Sequence, residues 1–177
     1  MKTGKRVMYG ITILVLALVN IAMAREGIAH NWWSWHWDKS TLNVLVGGSH
    51  VQQSREAIAD WHQMTDLSLP EGAGYFDILV FGGNFGDTGW GGLASIDASS
   101  HDWHCWWWCR IDRATARFNS FYNGSNTWWA RGVQCQEVGH TFGLDHNPDG
   151  GCMGLGYWAG QGNRPSAHDV QDVNARY

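Results

Sequence analysis

The sequence predicts a single α+β domain behind an export signal, and three observations carry that prediction. Short apolar or alternating runs have the length of strands, two longer segments repeat their apolar residues at helical spacing, and glycine-rich stretches divide them. A chain of 177 residues fits one core. Thirteen Trp and twenty-three Gly are the compositional departures, so turns and aromatic packing should be prominent.

The amino terminus comes first. Lys2, Lys5 and Arg6 precede the apolar run Ile11–Val19, and Ala22-Met23-Ala24 supplies small residues around a cleavage point. Residues 1–24 therefore form the expected signal peptide, and residues 25–177 the expected domain. The apolar run is shorter than the ~20 residues of a spanning helix, so no stable membrane anchor should remain after cleavage and the mature chain should be secreted. Export lets an even set of cysteines pair. Cys135 and Cys152 flank the most informative run, and closing that loop contributes about 3 kcal/mol in the chain-entropy model. Cys105 and Cys109 would stand roughly 13 Å apart on a straight strand, too far for a bridge, so pairing requires a tight bend at Trp106–Trp108.

Along the mature chain, Trp32, Trp33, Trp35 and Trp37 are too dense for one amphipathic face and suit either a surface coat or a cover over a sheet. Thr41–Val46 alternates Leu42, Val44 and Val46 and ends at Gly47-Gly48, which predicts a first strand. Ser54–Leu67 places Ala57, Ile58, Trp61, Met64 and Leu67 at helical spacing, with Ser54 as the expected cap. Phe76–Phe81 is apolar except for Asp77 and suits a strand covered on both faces. After the glycine-rich stretch 82–92, Leu93–Ala98 and Ile111–Phe118 are shorter strands. The second sets Asp112, Ala114, Ala116 and Phe118 against Ile111, Arg113, Thr115 and Arg117. Between them, 101–109 is expected to be a loop or hairpin tip. A second helix should start at Asn126 or Thr127 and run to Gly143, and a last one should start after Ser166 and reach Arg176.

Net charge is −4 with both signs scattered, which offers no basic stripe for a nucleic-acid backbone. Chemistry concentrates instead in Gln136-Glu137-Val138-Gly139-His140-Thr141-Phe142-Gly143-Leu144-Asp145-His146. Residues four apart on a helix share a face, so Gln136 and His140 can grip one ion. Gly143 can take the positive φ that ends a helix sharply and swings His146 back.

This run resembles the metzincin zinc signature His-Glu-x-x-His-x-x-Gly-x-x-His, with Gln136 in place of the first His. The resemblance implies a zincin-like domain: a twisted mixed sheet, an active-site helix, a Met-turn and a C-terminal helix, closest to the matrixin and snapalysin-like end of the group. It implies Zn2+ held by Gln136, His140 and His146, with Glu137 as general base toward the attacking water in the hydrolysis of a protein or peptide substrate. Cys152-Met153-Gly154 stands where the Met-turn belongs, although Met153 by itself equally suits a gap-filling core residue. Leu93, Ala94, Ser95 and Ile96 would form the edge strand that pairs with an extended substrate. Leu155 occupies the place of a tyrosine found in some relatives, with Tyr157 two positions later. A Gln carbonyl is a poorer zinc ligand than imidazole, so the implied site binds more weakly or has lost turnover.

Other sets of residues compete for metal or ligand. His101, His104, Cys105 and Cys109 could hold a structural zinc, against which export favours a disulfide. Asp145, Asn147 and Asp149 could meet calcium but lack the EF-hand pattern, leaving calcium open. The clusters Trp32–Trp37 and Trp103–Trp108 suit sugar or protein stacking as well as core plating, and pocket walls are expected within 154–164.

Overall fold

The computed structural model describes residues 35–72, 74–100, 109–122, 125–154 and 162–177. The signal segment, Trp32, Trp33, residues 101–108 and residues 155–161 lie outside them, as do the expectations placed there. In chain order the elements are β1 (Trp35–His36), β2 (Val44–Gly48), α1 (Val51–Met64), β3 (Ile78–Gly83), β4 (Gly92–Ser100), β5 (Cys109–Asn119), α2 (Thr127–Thr141) and α3 (Ala167–Arg176). The fold is α+β.

One mixed sheet forms the frame. β2, β3 and β5 run parallel, and β4 lies antiparallel to β5 from Gly92 opposite Phe118 to Ser100 opposite Arg110. Because β4 occupies that whole edge, β3 and the short β1 share the other edge of β5. Among the described residues β4 has a strand partner on one side only.

Both long helices cover one face of this sheet. Val44, Ile78, Val80, Ile111, Ala114 and Ala116 from the strands share a buried cluster with Ala57, Ile58 and Trp61 of α1 and Val138 of α2. Trp61 sits at the junction, fully buried, with its Nε1 donating to the Cys135 carbonyl at 3.0 Å and its ring edge-on to Phe142. Asp60, one residue earlier, is buried beneath two guanidinium groups: Arg131 from α2, and Arg164, whose Nη2 reaches it at 2.7 Å. That shared carboxylate ties α1, α2 and the segment before α3 together, and removing it would strand two cations.

Several boundaries differ from expectation, each for a local reason. α1 begins at Val51, not near Ser54; His50 in the left-handed region (φ 57) precedes it, and Ser54 is buried inside the helix, bonding back to the His50 carbonyl. Ser54 therefore serves as an internal hydroxyl rather than a cap. β2 starts at Val44 and β3 at Ile78, because Asp77 is consumed at the strand entrance: buried, it accepts from the Asn43 backbone N–H at 2.8 Å and from Lys39 at 2.7 Å. In β5 the expected alternation breaks. Ile111 points into the same core as Ala114 and Ala116 while Arg113 is exposed, since register shifts against β4 between Ile96 and Ser99 move the pleat by one residue.

Helix ends follow the sequence more closely. Asn126 caps α2 by accepting from the Trp129 backbone at 3.1 Å, Gly143 leaves the helix with φ 94, and Ser166 and Asp169 form a reciprocal capping box on α3. No helix among the described residues is long and apolar enough to cross a membrane.

Candidate metal centre

The last turns of α2 and the loop behind Gly143 bring two imidazoles together. His140 Nε2 and His146 Nε2 stand 3.1 Å apart, with the rings edge-to-face at 4.7 Å. Two nitrogens on one tetrahedral zinc are separated by about 3.3 Å, given zinc–nitrogen bonds near 2.0–2.1 Å, so the pair matches two corners of such a site. His140 is buried and its Nδ1 lies 2.7 Å from the Leu144 carbonyl. A proton on Nδ1 donates there and leaves Nε2 as the lone-pair atom, the tautomer a ligand needs. His146 is exposed, and its backbone N–H donates to the Asp145 carboxylate at 2.7 Å.

Gln136 lies one turn before His140 and is partly buried. Its side chain makes no hydrogen bond with the described residues. No group of three or more His, Cys, Asp or Glu stands together among the described residues. The Gln136 carbonyl oxygen is a chemically competent, weaker donor.

Glu137 occupies the seam between α2 and β4. Only 7% of it is exposed, and a Cβ on Gly92 would overlap its side chain and that of Val133, so the close approach of strand to helix depends on glycine there. Burial pushes its carboxyl up to about 8, opposed by the Ala94 backbone beside it. A carboxyl within one helical turn of the paired imidazoles can, once ionised, accept and return a proton.

Next to these groups lies a cavity of about 240 Å³, lined by Trp35, Ala94, Ser95, Ile96, His140 and Thr141. Ala94, Ser95 and Ile96, expected as the edge strand, thus stand beside His140. Leu93 is separated from them: opposite Arg117 on the outer face, it is 41% exposed. Trp35, weighed in the sequence only as one member of the Trp32–Trp37 cluster, stands in the cavity wall. Trp37 from the same cluster is core, its indole Nε1 donating to the Thr141 carbonyl at 2.8 Å. Tyr177 was not singled out by the sequence; its hydroxyl donates to the Phe142 carbonyl at 2.6 Å, and burial raises its pKa to about 12.

Behind α2 the site is braced. Cys135 and Cys152 form a disulfide, Cα atoms 5.8 Å apart, which fastens the residue before Gln136 to the turn carrying Met153. Met153 is fully buried, with its sulfur against Gly139 beside Trp61, so only glycine at 139 leaves room for it. Its carbonyl accepts from the Asn147 backbone at 2.9 Å, holding the chain just beyond His146. Cys109 is also disulfide-bonded, while Cys105, its expected partner, lies outside the described residues. Of the residues weighed for calcium, Asn147 is buried and bonded to Asp169 at 2.6 Å, and Asp149 is 2.6 Å from His168, so both are engaged within the protein. No protein-family model matches this chain, and no curated protein matches it, so the site stands on its own geometry.

Proposed function

We propose that the mature chain is a secreted zinc-dependent endopeptidase with a zincin-like metzincin domain, hydrolysing peptide bonds of proteins or peptides. The observation that carries the reading is the pair of Nε2 atoms 3.1 Å apart, with Glu137 one turn away beneath β4, whose outer edge has no strand partner among the described residues. Gln136, His140 and His146 would hold the ion. When bound there, zinc supplies a Lewis acid that makes water nucleophilic near neutral pH and a charge that favours the carboxylate form of Glu137.

The remaining work falls to the chain. Glu137, in its carboxylate form, takes a proton from the attacking water and returns it to the leaving amine, a role its position one turn from His140 suits. The outer β4 edge, which has no strand partner among the described residues, would take an extended peptide as an added strand, orienting the bond to be cut beside Glu137. Leu144, through its carbonyl, keeps the His140 ring in ligand tautomer. Oxidised Cys135, Cys152 and Cys109 accord with export.

A second reading keeps the fold and drops turnover: the Gln136 carbonyl is oriented by no hydrogen bond from the described residues, and a loosely held ion would leave a Trp-rich binding module for protein or polysaccharide. One experiment separates the two. Purified mature chain should take up about one zinc per molecule and cleave an unfolded protein, losing activity to a chelator and regaining it with zinc. A folded chain that stays inert after zinc supplementation would establish the second reading.

A further inference from the structure

The geometry points to a side-chain pocket walled by Trp35 that selects a large apolar residue on the amino-terminal side of the cut bond, a refinement resting on the endopeptidase reading. Three features of the fold converge on it. First, the cavity of about 240 Å³ has a largely apolar wall, with Trp35, Ala94, Ile96 and Thr141 around His140. Second, the pleat aims a substrate into it. Ala94 pairs with Ala116 and Ile96 with Ala114, both core-facing, so Ala94 and Ile96 lie on the α2 side of β4. A peptide added to the β4 edge continues that pleat, and every second side chain turns toward α2 and the cavity.

Third, the strand direction assigns the side. Gly92 packs on Val133 and Glu137, whereas Ile96 shares the cavity with His140 and Thr141, so β4 and α2 run the same way. Antiparallel addition, the more stable pairing, places peptide residues opposite Ile96 before those opposite Gly92. With the cut placed beside Glu137, which packs on Gly92, the pocket at Ile96 receives a residue that precedes it. Trp35 is held for this role from both ends: β1 pairs it with Cys109, and Trp37 anchors the same segment to the Thr141 carbonyl at the cavity wall.

The test uses the zinc-loaded mature chain and Gly/Ala-rich quenched fluorescent peptides that carry Gly, Leu or Phe at each position in turn, with mass spectrometry locating the cut. kcat/KM should rise about 10- to 100-fold from Gly to Leu or Phe at one amino-terminal position. Trp35→Ala should erase about tenfold of that gain while leaving the Gly peptide within about twofold, and Trp35→Phe should keep the ranking. A preference confined to the carboxyl-terminal side, or an equal loss on every peptide, overturns the pocket while leaving proteolysis intact. If nothing is cleaved, the endopeptidase reading fails by itself, and the pocket is decided by binding. Methyl NMR shifts at Ala94 and Ile96 with the Phe peptide but not the Gly peptide uphold it; no shift with either peptide overturns it.

Discussion

Along α2, Cys135 and Gly139 meet Cys152, Trp61 and Met153 in close packing, whereas Glu137 and His140, around the same helix, look onto β4 and a cavity. The first face is made of small residues and a covalent tie, filled to the point where a single methyl on Gly139 would collide with Met153. The second face carries the titratable groups and leaves space beside them. A group with open space on one side can meet a ligand, but its position is then set by whatever grips the opposite side. The packed face thus determines where the open face points, and each can be altered without directly touching the other.

Removing the proton acceptor should produce the largest effect and confine it to the open face. Glu137→Gln should keep zinc and lose turnover by about 10²- to 10⁴-fold, measured as kcat on a peptide substrate beside metal content. The same variant reads out burial in metal-free protein. Because the folded carboxyl titrates near 8 against 4.5 for the exposed group, the folded state keeps a proton that the unfolded chain releases. Stability from this group is therefore full below pH 4.5 and lost as pH rises through 8. Urea midpoints of the metal-free wild type should fall between pH 5 and 8 by an amount worth a few kcal/mol, and those of Glu137→Gln should not fall in parallel. Parallel curves would show that the seam admits water.

Damage to the packed face should act through stability first. Met153→Ala leaves a cavity under Gly139 and should cost about 2–5 kcal/mol by denaturant unfolding, with zinc affinity reduced as the helix loses its support. Loss of stability with unchanged zinc affinity would mean that the two faces are independent, contrary to the coupling drawn above. Gln136→His gives a smaller and opposite change. Supplying imidazole at a position one turn before His140 should tighten zinc by at least about tenfold, followed by competition with a chromogenic chelator. An unchanged constant would remove Gln136 from the ligand set. Smallest of all, Tyr177→Phe deletes the bond to the Phe142 carbonyl and should cost about 1 kcal/mol, leaving zinc affinity as it was.

How much of this was legible beforehand follows from the range of each interaction. Asn126 as a cap, the positive φ at Gly143, the Ser166 start of α3 and the i, i+4 placement of Gln136 and His140 depend on neighbours within about one helical turn, and all are written in the local pattern. The Cys135–Cys152 bridge is the expected one of three pairings open to four cysteines, and the fold selects it by bringing the two Cα atoms to 5.8 Å. Ser54 misled because a hydroxyl that suits a cap also suits a buried position within a helix. Ile111 misled because period-two alternation assumes an unbroken register, and the shift against β4 belongs to the pair of strands rather than to either.

What the sequence alone determined, then, is the ends of α2 and α3 and the helical spacing of the chemically active residues. Only the tertiary structure decided that Glu137 is buried under Gly92 and titrates near 8, that Leu93 faces away while Ala94 and Ile96 face α2, and that Trp35 closes a cavity beside His140. Trp35 and His140 are more than a hundred residues apart, and their meeting depends on β1 docking on β5 while α2 docks on the sheet. Local periodicity fixes which face of an element a residue occupies; the register and packing of whole elements decide what that face meets.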